Sequence, residues 1–234
     1  MLESRMLDIA ANLERVRERV ARAAERAGRR PDDVLLIGVS KVVEVERIRA
    51  ALAAGIGALG ENRVQEAKAK IGELGRPVPW HLIGHLQTNK VKDALPLFDV
   101  IQSLDRLELA QELERRAAAL GRVVEALLQV NVASEASKGG FAPDAVGAAL
   151  DTIGALSHVR IRGLMVIPPE VERAEESRPW FRQLREMADK HGLRERSMGM
   201  SGDFEVAIEE GATMVRVGTA IFGPRPLRAV DPGA

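Results

Sequence analysis

Short apolar runs alternate with longer helical patterns along most of this chain. Eight of the runs end near small or polar residues, which is typical of β-strands that are buried on both faces. The second and fourth runs are short and barely apolar. The predicted strands are Val34–Ser40, Ala58–Gly60, Trp80–Gly84, Val100–Leu104, Val124–Asn131, Ile161–Ile167, Ser197–Ser201 and Met214–Gly218.

Apolar residues recur at helical spacing between these strands and also ahead of the first one. The N-terminal pattern stops at Gly28 and consists of Ile9, Leu13, Val16, Val20 and Ala24. The clearest later helical patterns are Arg106–Leu120, Pro143–Leu156, Glu172–His191 and Phe204–Glu210.

Alternating strands and helices predict βαβ units and a parallel sheet. Eight strands within 234 residues favour an α/β fold of the closed (β/α)8 TIM-barrel type, preceded by an extra N-terminal helix. An open, doubly wound sheet is the structural alternative. No linker-like segment divides the chain, so residues 1–234 are predicted to form a single domain.

The amino-acid composition excludes several classes of function but says little about the fold. Thirty-four basic residues balance thirty-four acidic ones without a basic block, which argues against a nucleic-acid partner. Without cysteine there is no disulfide, thiolate nucleophile or cysteine-ligated zinc. No apolar stretch approaches the length of a membrane span, and acids interrupt the N-terminal arginines, unlike a targeting peptide. We expect a cytoplasmic protein with no membrane partner.

Lys41 closes the first predicted strand, and functional groups of a (β/α)8 barrel project from the C-terminal ends of its strands. Burial favours the neutral, nucleophilic amine, which forms Schiff bases with aldehydes such as pyridoxal phosphate (PLP). A solvated lysine at a strand end is the alternative. Of the seven lysines, only Lys138, in a loop after the fifth strand, is a rival, because the others lie among polar neighbours in helical or loop segments.

Other polar residues follow the predicted strands, and each has an unremarkable interpretation as well. Asn62 follows the second strand, where it could simply cap a helix. Asn131 ends the fifth. His81 and His85 flank Leu82-Ile83-Gly84 outside any metal-ligand pattern, so a zinc site is not expected. His81 is better interpreted as a packed or hydrogen-bonded strand residue.

Two junctions near the C-terminus are rich in small residues, at 198–203 and 215–223. Such junctions expose backbone N–H groups and hydroxyls to an anion. Barrels commonly bind phosphate between the loops after strands seven and eight. The two junctions lie at the C-terminal ends of the seventh and eighth predicted strands. Tight turns without a ligand are the alternative.

Arg216 lies within the eighth predicted strand, between Val215 and Val217. Side chains alternate along a strand, so Arg216 points into the barrel if the two valines pack against the outer helices. A buried guanidinium needs acceptors. These could come from a carboxylate of the protein or from the ring nitrogen of a cofactor.

Together these residues resemble the YggS/PROSC family of pyridoxal phosphate homeostasis proteins over nearly the whole chain. The resemblance implies the PLP fold-type-III barrel of alanine racemase without the second domain of the racemase. The segments that carry it are Gly38-Val39-Ser40-Lys41, Gly60-Glu61-Asn62-Arg63-Val64-Gln65-Glu66, Trp80-His81-Leu82-Ile83-Gly84, Arg162-Gly163-Leu164-Met165, Ser197-Met198-Gly199-Met200-Ser201 and the run from Met214 to Gly223.

The resemblance also implies a cofactor and its pocket. Lys41 would hold pyridoxal 5′-phosphate as an internal aldimine, and Arg216 would face the pyridine nitrogen. Asn62 and Met200 would line the ring pocket.

Ser201, Gly218 and Thr219 would hold the phosphate. Around Lys138 the match is looser, because Gly139 stands where many relatives have serine. A secondary role for that loop is therefore less well supported.

A protonated arginine opposite the ring nitrogen leaves that nitrogen unprotonated, which makes the cofactor a poorer electron sink. The chain also lacks tyrosine, the residue that alanine racemases use as their second base. We therefore expect a monomeric, non-catalytic PLP carrier that maintains intracellular PLP and serves PLP-dependent apoenzymes. The alternatives are an amino-acid racemase of minor activity and a cofactor-free Schiff-base lyase.

Overall fold

Parallel β-strands pair in chain order and close into a barrel in the computed structural model, which describes residues 8–133, 135 and 139–224. The first and last strands complete the ring, with Ile37 opposite Arg216, so the open-sheet alternative is wrong. The strands are β1 Leu35–Val39, β2 Ala58–Glu61, β3 Trp80–Leu82, β4 Val100–Leu104, β5 Val124–Val130, β6 Val159–Val166, β7 Glu195–Ser197 and β8 Met214–Val217.

Helices follow the strands on the outside of the barrel, and one precedes them. The N-terminal helix is confirmed, and the Asp8 side chain caps it by accepting a hydrogen bond from the Ala11 N–H. Short 3-10 segments lead into several of the others. The α-helices are α1 Ile9–Arg26, α2 Val45–Ala53, α3 Val64–Leu74, α4 Val91–Ala94, α5 Leu107–Ala119, α6 Val146–Gly154, α7 Arg178–Lys190, α8 Phe204–Glu209 and α9 Thr219–Phe222.

Most strand predictions agree with the structure, and the largest difference is at β7. The prediction placed this strand at Ser197–Ser201, whereas β7 ends at Ser197. At Gly199 the backbone has a φ of +90°, and a Cβ there would lie 2.6 Å from the Ala207 side chain. Gly199 therefore turns the chain out of the strand and against α8, so that Ser201 lies in the loop after β7 and does not end the strand.

The apolar core has two parts, one between the strands and the helices and a smaller one inside the barrel. The strand β8 shows how alternation divides them. Val215 and Val217 join the outer core, Met214 joins the interior cluster, and Arg216 is almost completely buried on the inward side. The predicted inward orientation of Arg216 is confirmed. Among the described helices, none combines the length and apolar character required to cross a membrane.

Candidate functional site

A cavity of about 230 Å³ opens at the C-terminal ends of the strands. All seven residues that the sequence predicted for the pocket line it, although they come from four separate parts of the chain. Apolar side chains and Gly202 complete the wall. The lining residues are Val39, Lys41, Asn62, Ile83, Ile167, Met200, Ser201, Gly202, Arg216, Gly218 and Thr219.

The sequence predicts that Lys41 ends the first strand, but Lys41 lies in a tight turn after β1. The Val43 N–H donates to the Ser40 carbonyl at 3.0 Å, which makes Lys41 and Val42 the two central residues of a β-turn. Val42 has a φ of +61°, as the third position of a type II turn requires. Lys41 is half-buried, so its amine borders the cavity and is not enclosed in the core.

A buried ion cluster stands behind this turn, and sequence reasoning missed it. Lys70 of α3 donates from Nζ to Glu61 Oε1 at 2.6 Å, to Glu66 Oε1 at 2.7 Å and to the Ser40 carbonyl at 2.5 Å. The Ser40 hydroxyl donates to Glu61 at 2.8 Å. The polar neighbours of Lys70 in sequence predict an exposed side chain, but this side chain is only 7% exposed.

Burial acts differently on the two carboxylates of the cluster. The Glu61 side chain is fully buried, and burial raises its pKa against the opposing effects of Lys70 and Ser40. Burial also acts to raise the pKa of Glu66, but hydrogen bonds from Lys70 and from the Val42 N–H outweigh it and lower that pKa. Glu66 is therefore the more firmly ionised partner of Lys70.

Arg216 carries its charge deep in the cavity wall. Its guanidinium donates to the Ser197 hydroxyl at 2.6 Å and to the Val166 carbonyl at 2.7 Å. Burial lowers the pKa of Arg216 to about 10, so the group stays protonated at neutral pH. Within the described part of the chain no carboxylate lies within ion-pair distance of Arg216, although the charge of Asp203 acts to raise its pKa against the effect of burial. The described residues therefore give no support to the interpretation of Arg216 as half of a structural ion pair.

Hydrogen bonds continue from Arg216 through the barrel interior to His81. The guanidinium can only donate, so the Ser197 hydroxyl accepts from it. The same hydroxyl then donates its hydrogen to Gln102 Oε1, at 2.6 Å. That bond directs Gln102 Nε2 towards His81 Nδ1, at 2.8 Å. Burial lowers the pKa of His81 to about 4, so His81 is neutral with its proton on Nε2. The prediction of a buried, hydrogen-bonded His81 is confirmed.

Two backbone donors converge on Ser201 in the cavity wall. The N–H groups of Gly218 and Ala220 both point at its hydroxyl oxygen, at 3.3 and 3.4 Å. Thr219 lies between them and is exposed to the cavity. The two predicted junctions thus meet as one group of small residues with N–H and O–H donors, which suits an anion with several oxygens.

Asn62 leaves a buried acceptor unused. Its Oδ1 has no hydrogen-bond partner among the described residues. The cap of α3 is Arg63, so the interpretation of Asn62 as a helix cap is wrong. Gly84 packs directly on Asn62, since a Cβ at Gly84 would lie 2.5 Å from the Asn62 carbonyl oxygen. Asn62 also lines the cavity, where its amide is a polar group that a ligand could contact.

A second cavity of about 320 Å³ adjoins the first and shares Asn62, Ile83 and Ile167 with it. His85 and Asp105 border it and are hydrogen-bonded to each other at 2.8 Å. Nowhere in 8–133, 135 and 139–224 do three or more His, Cys, Asp or Glu side chains cluster as metal ligands would. The rival lysine, Lys138, lies outside the described residues, so its prediction is untested.

These residues fit PLP by their chemistry. An amine, a protonated guanidinium, a group of small-residue donors and an amide side chain line one cavity. They match the aldehyde, ring nitrogen, phosphate and polar ring substituents of that molecule.

Comparison with known proteins agrees with this chemistry. The family model for the N-terminal domain of alanine racemase matches residues 11–226. The pyridoxal phosphate homeostasis protein of Aquifex aeolicus is 45% identical over 94% of this chain and 99% of its own length. That of Escherichia coli K12 is 40% identical over 94% and 98%, respectively.

Solved structures give the same result. PipY of Synechococcus elongatus, determined with PLP bound, has a TM-score of 0.80 and 41% identity over 92% of this chain and 100% of its own. Alanine racemase of Clostridium difficile shares only the fold, with a TM-score of 0.72 and 16% identity over 95% of this chain and 58% of its own. The chain belongs to the family of the alanine racemase N-terminal domain and, within it, to the pyridoxal phosphate homeostasis proteins.

Proposed function

We propose that this protein binds PLP in the 230 Å³ cavity and holds it reversibly on Lys41. The observation that carries the proposal is the meeting of Lys41, Arg216 and the Ser201–Gly218 donors in one cavity. The solved structure of PipY with PLP bound, at 41% identity, supports it.

Each residue has a separate task in this proposal. When PLP is bound, its aldehyde supplies an electrophile that condenses with an amine. Lys41 Nζ provides that amine, and Arg216 donates towards the ring nitrogen. Asn62 and Met200 border the ring, while Ser201, Gly218 and Thr219 hold the phosphate.

We further propose that the site stores and releases PLP rather than using it for catalysis. With a pKa of about 10, Arg216 remains a donor at neutral pH and keeps the ring nitrogen unprotonated. That state stabilises a substrate carbanion poorly. The chain has no tyrosine for a second base on the opposite face. Racemisation by another base remains the alternative function.

Absorption spectroscopy and chemical trapping test the covalent attachment. Wild-type protein with PLP should show the visible absorption band of a pyridoxal Schiff base, and borohydride reduction should place the label on Lys41. Lys41→Ala should lose the band and keep its circular dichroism spectrum. Labelling of Lys41→Ala at Lys138 would move the attachment to that loop, and a wild-type protein without any band would contradict the proposal.

A second assay separates storage from racemisation. The PLP-loaded protein should exchange the α-proton of a panel of amino acids no faster than free PLP does. It should also transfer PLP to a PLP-dependent apoenzyme, which gains activity as the band of the carrier disappears. Rapid exchange of one amino acid that is lost in Lys41→Ala would favour the racemase instead.

The proposal includes three further points that the sequence suggests. We propose a single functional domain over residues 1–234, a monomer and a cytoplasmic location. Light scattering on the PLP-loaded protein tests the monomer, and limited proteolysis tests the single domain. Cell fractionation tests the location.

A further inference from the structure

The turn that carries Lys41 is held from both sides by one group of charges. Before Lys41, the Ser40 carbonyl accepts from Lys70 Nζ at 2.5 Å, and the Ser40 hydroxyl donates to Glu61. After Lys41, the Val42 N–H donates to Glu66 Oε1 at 2.5 Å. Lys70 joins the two carboxylates. The cluster of Glu61, Glu66 and Lys70 therefore fixes both neighbours of Lys41.

Val42 shows that this restraint works against a local preference. A φ of +61° is uncommon for a β-branched residue, because its Cβ crowds the following backbone. Val42 is also 58% exposed, so apolar packing does not explain its conformation. The hydrogen bond to Glu66 is the contact that holds its N–H in place. The bond from the Val43 N–H to the Ser40 carbonyl closes the turn but does not hold the Val42 N–H, so loss of the Glu66 bond would leave Val42 free to move towards negative φ.

The position of the cluster relative to the cavity points to its role. Glu61 ends β2, and Glu66 and Lys70 are one turn apart on α3. None of the three lines the 230 Å³ cavity, whereas Lys41 does. The cluster thus reaches the site through the backbone on either side of Lys41 and not through a surface that a ligand would touch.

We infer that Lys70, acting through Glu61 and Glu66, is a positioning residue that holds Lys41 in the orientation needed to form its bond to PLP. This inference rests on the proposed function and adds to it a group outside the pocket. In the step concerned, Lys41 Nζ forms a C=N bond to the aldehyde carbon of PLP and one water molecule leaves. The cluster takes no part in the proton transfers; it sets where the amine is.

A comparison of two ligands isolates this effect. Pyridoxine 5′-phosphate has an alcohol in place of the aldehyde, so its affinity reports the ring and phosphate contacts alone. Its dissociation constant divided by that of PLP measures the preference for covalent attachment. We expect Glu66→Ala and Lys70→Met to lower this ratio about tenfold, which corresponds to about 1.4 kcal/mol. The affinity for pyridoxine 5′-phosphate itself should stay within about twofold of wild type.

Matched variants define the cause. Lys68→Met removes an exposed lysine from the same helix and should leave the ratio unchanged. Lys70→Arg should restore part of the ratio that Lys70→Met loses. Glu66→Gln keeps an acceptor for the Val42 N–H and should lose less than Glu66→Ala. Val42→Gly added to Glu66→Ala should recover the ratio, because glycine adopts a positive φ without strain.

The outcomes separate this inference from the proposed function. A wild-type ratio near one without a visible band would refute PLP attachment itself. With the band present, an unchanged ratio in Glu66→Ala and Lys70→Met would refute the positioning role. So would an equal loss of affinity for both ligands, which indicates general loosening of the site. If Lys70→Met fails to fold, the decision falls to Glu66→Ala, whose side chain is 26% exposed in the parent protein.

Discussion

The Ser197 hydroxyl accepts a hydrogen bond from the Arg216 guanidinium at 2.6 Å and donates one to Gln102 Oε1. One neutral side chain therefore orients the buried charge of the cavity. Ser197 ends β7 and Arg216 lies in β8, so the contact also joins the two strands that pair least extensively. Two neutral acceptors, the Ser197 hydroxyl and the Val166 carbonyl, hold Arg216 in place.

Removal of the Ser197 hydroxyl should destabilise the protein. Ser197→Ala leaves an Arg216 donor and the Gln102 acceptor unpaired in the interior, which should cost about 1–3 kcal/mol in the free energy of unfolding. Urea titration measures this, with Ser157→Ala at an exposed position as the control. PLP should restore part of the loss if it brings an acceptor to Arg216. An equal loss in both variants would contradict the role assigned to Ser197.

Ser201 should act on the phosphate and not on the aldehyde. Ser201→Ala removes the hydroxyl on which the Gly218 and Ala220 amides converge. We expect PLP to bind about tenfold more weakly, since hydrogen bonds to charged groups contribute about 1.5–3 kcal/mol. Pyridoxal, which has no phosphate, should bind this variant and the wild type alike. An equal loss for both ligands would place Ser201 elsewhere in the pocket.

The buried His81 should make stability depend on pH. Its pKa is lowered from 6.5 to about 4 by burial, so the unfolded chain takes up this proton before the folded one does. Stability is therefore complete above about pH 6.5 and is lost as pH falls towards 4, by up to roughly 3 kcal/mol. In urea titrations between pH 6.5 and 4, the free energy of unfolding of His81→Gln should fall less with decreasing pH than that of wild type. If the free energy of unfolding depends on pH in the same way in both proteins, His81 does not cause the pH dependence.

Gly163 is required where β6 meets β7. A Cβ at this position would lie 1.9 Å from the Glu195 carbonyl oxygen, and Glu195 is its register partner. Gly163→Ala should destabilise the protein by about 3 kcal/mol or more and lower its melting temperature. Gly154, at the end of α6, has no heavy atom within 4 Å of such a Cβ. Gly154→Ala should be neutral or slightly stabilising, which makes it the matched control.

The sequence predicted the barrel because its strands are apolar on both faces. Even β4 was located at both ends, from Val100 to Leu104, although it is barely apolar. Alternation along β8 correctly placed Arg216 inside. The error at β7 has a physical cause: Met198 and Met200 continue an apolar run, but Gly199 adopts a conformation that a strand does not have.

The support of the site was harder to predict than its lining. Lys70 is hidden because polar neighbours in sequence indicate an exposed helix, and only the packing of α3 against the Lys41 turn buries it. A usable signal was present: Glu66 and Lys70 are four residues apart, which places them on one face of a helix. The strain at Val42 left no signal in the sequence, since valine is a residue that such a turn normally excludes.

Because β1 pairs with β8, the cavity is assembled from segments that are synthesised at different times. Val39 and Lys41 meet Arg216 and Gly218 in one cavity, yet about three quarters of the chain is synthesised between them. A ribosome-bound chain that has not yet released its last strand has the amine and Ser201 but not the guanidinium or the donors at Gly218 and Thr219. Because contacts between distant segments form late in folding, the cavity is completed only when the ring closes. Cofactor capture would then mark a chain whose barrel has closed.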